Sequence, residues 1–82
     1  MNVEVLYFAG AREIAGKSCE HLQLPPQVVT VSQFLDWLVE CYPELEPYAP
    51  SLRIARNESF ADGQDSLREN DVLAIIPPVA GG

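Results

Sequence analysis

Few of the residues that usually carry enzyme chemistry occur in these 82 residues: one histidine, His21, one lysine, Lys17, and two cysteines, Cys19 and Cys41. Cys19 and His21 stand two apart, which puts both on one face of a strand. A thiol and its base still need a third, orienting group and a pocket, and neither is indicated. His21 is therefore expected as an exposed strand residue. No GxxxxGK phosphate loop, no GxGxxG and no HExxH occurs. Two cysteines without a CxxC or Cys/His cluster suggest neither a metal site nor a disulfide framework, and both are expected as reduced thiols in a cytosolic protein. Trp37 and Cys41 should pack in the core or at a helix edge. The acidic residues, scattered through turns, are expected as solvated surface.

The remaining candidate is the sequence "IIPPVAGG", Ile75 to Gly82. As the sequence reads, the α-carboxylate of Gly82 is the reactive group. With an ordinary pKa of about 3.5 it is an ionised, unreactive anion at neutral pH. Adenylation with ATP would activate it as an acyl-adenylate, open to attack by a sulfur donor or a protein thiol. No nucleotide motif exists here, so the ATP is expected in a separate activating enzyme, with no cofactor bound by this chain. Pro77 and Pro78 fix φ and give a stiff base. Val79 to Gly82 reach up to about 14 Å when extended, and Ala80, Gly81 and Gly82 are small enough for a narrow channel. Residues 1–78 are expected as the folded domain and 79–82 as a flexible diglycine tail.

The elements that must position this tail follow from the patterning. "VEVLYF", Val3 to Phe8, and "VLAIIP", from Val72, are continuous apolar strands. "AREIAGKS" is a short helical turn or loop stopped at Gly16. "CEHLQL" alternates, with Leu22 and Leu24 on one face, and pairs with the first strand as a hairpin. "TVSQFLDWLVECYP" has helical period: Val31, Phe34, Leu35, Leu38, Val39 and Tyr42 form one stripe, with Thr30 and Gln33 at capping-box spacing and Pro43 ending the run. "ELEPYAPS" is a proline-rich connection. In "LRIARN", Leu52, Ile54 and Arg56 alternate against a wet face of Arg53, Ala55 and Asn57. Turn chemistry recurs at Asp62-Gly63 and Asn70-Asp71.

Strand, strand, helix, strand, strand predicts an α+β domain, a mixed four- to five-stranded sheet with one main helix packed across it. The two apolar strands belong at its centre. This is the β-grasp, or ubiquitin-like, arrangement, and it sends the tail off the end of a central strand. A net charge of −7 argues against nucleic acid and favours a basic protein partner. The longest mostly apolar stretch, Val72 to Ala80, is too short to span a membrane.

From "VEVLYFAGAREIAGKS" through "IARNESF" to "DVLAIIPPVAGG", the sequence resembles the small, sulfur-carrier subunits of molybdopterin synthase. The resemblance implies that Gly82 is adenylated by a ubiquitin-activating-type adenylyltransferase and converted to a thiocarboxylate. The sulfur then passes to cyclic pyranopterin monophosphate inside the large subunit, in a heterotetramer of two small and two large subunits. On this pattern the chain is the sulfur-donating part of a sulfurtransferase and has no activity alone. The same resemblance implies docking on the large subunit through Phe8, Phe60 and Ile76, with Arg12 at the edge and Pro77, Pro78, Val79 and Ala80 in the inserting tail. By position alone, Phe8 and Ile76 suit core or interface equally, whereas Phe60 is the best exposed aromatic. Three departures stand out: Ala80 where the family more often has Ser or Thr, Asn70 where it has Gly, and Arg56 where an apolar residue is common. The alternatives are a carrier for thiamin-type thiazole synthesis or tRNA thiolation, and a ubiquitin-like protein modifier.

Overall fold

Val3, Val5 and Tyr7 of strand β1 (Asn2–Tyr7) are buried, while Glu4 and Leu6 between them are half-buried. One face of this strand therefore lies on the core and the other on a thinly covered surface. The computed structural model describes residues 1–78. After β1 come helix α1 (Ala9–Ala15), strand β2 (Cys19–Gln23) and helix α2 (Val31–Cys41). A 3-10 helix (Pro43–Ser51) and strands β3 (Arg53–Arg56), β4 (Ser59–Phe60) and β5 (Val72–Ile76) complete the chain. The sheet order is β2-β1-β5-β3-β4, with β1 and β5 parallel and every other neighbouring pair antiparallel. The two apolar strands thus occupy the centre, as the patterning predicts.

Helix α2 starts where expected. Thr30 Oγ1 accepts from the Gln33 N–H at 3.2 Å, and Gln33 Oε1 accepts from the Thr30 N–H at 3.1 Å. Two more first-turn donors are met by the segment before β5: Val31 N–H donates to the Asp65 carbonyl at 3.0 Å and Ser32 N–H to Gly63 at 2.8 Å. Gly63 packs closely there: a Cβ would stand 3.3 Å from Ser32 Cβ, so Ser32 would have to give by a few tenths of an ångström. The helix lays Val31, Phe34 and Leu38 across the sheet, where they pack with Val3, Val5, Tyr7, Leu73 and Ile75.

Four local features differ from the sequence expectations. Phe8 lies just past β1 as the N-cap of α1, and is 47% exposed. "ELEPYAPS" is a 3-10 helix anchored by buried Leu45. Pro47 and Pro50 lack amide hydrogens, so no continuous hydrogen-bond ladder can run through this segment. Ala55 is buried, since a methyl group flanked by Phe60 on the neighbouring strand is shielded. Asn57 and Glu58 both have positive φ, 52° and 73°, the conformation of a two-residue hairpin turn, which joins β3 to β4. Asn70 takes the left-handed conformation expected of it, with φ 69°.

Two carboxylates expected as solvated surface are instead structural. Asp71 is buried; Oδ1 accepts from Asn57 Nδ2 at 2.9 Å, and Oδ2 accepts from the Arg68 N–H at 2.8 Å, with Arg56 Nη1 3.6 Å away. Asn57 Oδ1 returns a bond from the Val72 N–H, so this cluster locks the β3–β4 turn onto the start of β5. Glu20 accepts from the Tyr7 and Tyr42 hydroxyls, the latter at 2.7 Å, and from Lys17 Nζ at 3.3 Å. It thereby ties β2, β1 and the end of α2.

Candidate functional site

The site begins where the core ends. Ile75 is completely buried and pairs with Tyr7 on β1 and Ile54 on β3; Ile76, by strand alternation, turns to the opposite face. Pro77 and Pro78 follow, half-buried and exposed respectively. Val79, Ala80, Gly81 and Gly82, expected to form the tail and its reactive end, lie outside the described residues. Two central strands, hydrogen-bonded on both sides, therefore hold the base of the tail.

On the face away from α2, the register aligns Cys19, Leu6, Ala74, Ala55 and Phe60 in one row across all five strands. This row is apolar, and Phe60 at its end is the most exposed large hydrophobic residue among those described, at 62%. Arg53, opposite Ile76, places its guanidinium 4.1 Å from the centre of the Phe60 ring. Such a contact fixes the aromatic ring and carries a charge beside it.

A groove of about 640 Å³ adjoins the row at the end of the sheet. Phe8, Ile76, Pro77 and Pro78 line it, together with Ile14, Tyr48 and Leu52. The structure therefore brings four of the sequence-predicted docking residues into one groove. Phe60 stands outside this lining and connects to it through Arg53 and Ile76. Arg12 sits exposed on α1, likewise not part of the lining. Arg56 belongs elsewhere: opposite Leu73, it faces the helix side and Asp71.

Two contributors were missed at the sequence level. Tyr48, 52% exposed, hides in a segment expected as irregular connection. Arg53 was assigned to a wet face, and its only available signal was its place two residues before Ala55 on a strand whose partner could not be read. Neither its stacking on Phe60 nor its register with Ile76 is encoded locally.

His21 is exposed, with Nε2 3.9 Å from Glu4 Oε2, and among the described residues no hydrogen bond joins it to Cys19. Burial, then the charges of Glu20 and Glu40, pushes the Cys41 thiol up, away from thiolate reactivity. Among the described residues no three His, Cys, Asp or Glu side chains are grouped to hold a metal ion. The arrangement is a rigid platform that presents an apolar face and holds the start of a tail.

A model of the ThiS family matches residues 5–82. The chain belongs to the ThiS family. Its relatives include the molybdopterin synthase sulfur carrier subunit of Drosophila yakuba, 40% identical over 85 residues that cover 100% of this chain and 92% of that protein. Among solved structures, SAMP1 from Haloferax volcanii, small archaeal modifier protein 1, superimposes with a TM-score of 0.84 at 29% identity, covering 100% of both chains. A Helicobacter pylori protein-protein complex of subunits 1 and 2 of molybdopterin-converting factor matches with a TM-score of 0.69 at 24% identity, again covering 100% of both chains, and supports the fold alone. The ThiS-family sheet is thus the β-grasp, ubiquitin-like sheet expected from the strand order. Among the described residues of this ThiS-family chain, no helix is long and apolar enough to cross a membrane.

Proposed function

We propose that the chain is the sulfur carrier subunit of a molybdopterin synthase, with Gly82 as the atom-bearing end. The observation that carries this is the 40% identity, across the whole chain, to a protein of that name. The Gly82 carboxylate attacks the α-phosphorus of ATP in a separate adenylyltransferase, releasing pyrophosphate and leaving an acyl-adenylate. A sulfide equivalent then attacks the acyl carbon and expels AMP, leaving a thiocarboxylate. In the large subunit that sulfur bonds to cyclic pyranopterin monophosphate; water then attacks the acyl carbon, the acyl C–S bond breaks, the sulfur stays on the pterin and the glycine carboxylate is regenerated. The chain contributes no catalytic group to these steps; it supplies a rigid stem at Ile75 to Pro78 and a docking face around Phe60.

The large subunit is the natural partner for that face, since the Drosophila yakuba relative is by name one subunit of molybdopterin synthase. Phe8, Ile76 and Pro77 line the groove at the tail base, so docking there and insertion of Val79 to Gly82 are one geometric event. Two carriers on two large subunits suit a product that needs two sulfurs. The cytosol suits the chain's two unpaired thiols.

Intact-mass analysis after incubation with the adenylyltransferase, ATP and a sulfur source tests the loading step. The expected product is heavier by the difference between one sulfur and one oxygen atom. An unchanged mass, under conditions that load a known carrier, overturns it.

The likeness to a small archaeal modifier protein favours a second reading, in which the activated Gly82 is joined to target lysines. Immunoblots under denaturing conditions separate the two: a modifier gives a ladder, a carrier one small band.

A further inference from the structure

On the docking face, one charged contact borders the apolar row at its Phe60 end. The Arg53 guanidinium stands over the Phe60 ring, 4.1 Å from guanidinium carbon to ring centre, and Arg53 sits opposite Ile76 in the β3–β5 register. Among the described residues Arg53, like Arg12 and Arg68, enters no ion pair, whereas Lys17 pairs with Glu20 and Arg56 with Asp71; what sets Arg53 apart is its contact with the exposed Phe60 ring beside Ile76.

The ring contact uses none of the guanidinium N–H donors, and among the described residues no side-chain hydrogen bond engages them. A partner that buries Phe60 must bury that guanidinium too, because the two are in contact. A desolvated cation without an acceptor opposes binding strongly, so the partner surface has to supply one. A carboxylate is the acceptor that matches the planar fork and neutralises the charge together. We propose that Arg53 is a partner-recognition residue, receiving an Asp or Glu side chain of the large subunit when the open face docks, an inference that rests on the docking reading above.

Charge complementarity makes this contact selective. The chain as a whole carries −7, so a partner shaped to meet it is basic over most of its contact area. A single carboxylate on that surface is repelled wherever this chain is acidic and accepted at Arg53. The pair therefore fixes the orientation in which the tail base faces the large subunit, adding specificity to the non-directional burial of Phe60 and Ile76.

The test is calorimetric binding of the full chain to purified large subunit, using Arg53→Leu, Arg53→Lys, Arg53→Glu and Phe60→Asp. Arg53→Leu keeps apolar bulk and is expected to weaken binding about 10-fold, and Arg53→Glu about 100-fold or more, in line with coupling of close interfacial charge pairs. Arg53→Lys should fall between the wild type and Arg53→Leu. Reversing one large-subunit Asp or Glu to Arg should restore binding of Arg53→Glu. Wild-type affinity in Arg53→Leu overturns the proposal, as does failure of every such reversal to rescue Arg53→Glu. If Phe60→Asp also binds normally, the docking face itself is wrong; if Phe60→Asp abolishes binding while the Arg53 variants are neutral, only the role of Arg53 fails.

Discussion

Tyr7 and Ile75 are direct partners in the parallel pairing of β1 and β5, and both are sealed from solvent beneath α2. One residue later Ile76 faces the other way, so the boundary between the core and the proposed docking surface falls between two adjacent isoleucines. Ile75→Ala should cost about 3 to 4 kcal/mol of stability, as for a buried aliphatic truncated in a closed core. Ile76→Ala should cost under about 1 kcal/mol, as for a surface substitution. Urea unfolding of the two variants checks the contrast.

Phe8 and Ile76 line the same groove at the tail base. Truncating either to Ala should weaken large-subunit binding by about 1 to 2 kcal/mol, the range for an apolar interface anchor of middling weight. Their unfolding midpoints should stay near that of the wild type. Binding calorimetry on both variants, with thermal unfolding as the control, makes the measurement.

Asp71 is the buried carboxylate that joins the β3–β4 turn to β5. Asp71→Ala strands Asn57 Nδ2 and the Arg68 amide and leaves Arg56 without its counter-charge. A loss of about 3 kcal/mol is expected, typical of one partner removed from a buried ionic cluster. Arg68→Ala, which keeps the backbone donor, should cost far less.

Glu20 should govern the acid limb of stability. Burial alone would raise its carboxyl pKa, but the hydrogen bonds from Tyr7, Tyr42 and Lys17 outweigh it and hold the group below its ordinary 4.5. A depressed folded pKa means that the unfolded chain takes up the proton first. The stabilisation is therefore complete above about pH 4.5 and lost as pH falls through the lower folded value. Chemical unfolding from neutral to acid pH should show a shallower decline for Glu20→Gln than for the wild type, with lower stability at neutral pH.

Much of this was legible in the sequence for stated physical reasons. Helix α2 announces itself through its stripe and capping box, β5 through an uninterrupted apolar run and β1 through a run broken only by Glu4, which together place those two strands at the sheet centre. The 3-10 helix was hidden because its three prolines signal only that an α-helix is excluded. Asp71 and Glu20 looked like surface charges because their partners, Asn57 and Tyr42, are distant in sequence. For the site, Phe60 could be named by its position, whereas Ile76 suited core or interface equally and was named through the family resemblance. The place of Arg53 between them depends on cross-strand register, which local sequence does not encode.

The most direct test of the central claim is reconstitution of sulfur transfer. The full chain is loaded with the adenylyltransferase, ATP and a sulfur source, repurified, and mixed with large subunit and cyclic pyranopterin monophosphate. Molybdopterin should form, consuming two loaded chains per product, while the chain lacking Gly82 folds normally and yields none. A loaded chain that gives no molybdopterin, or a Gly82 deletion that supports as much as the wild type, would contradict the account.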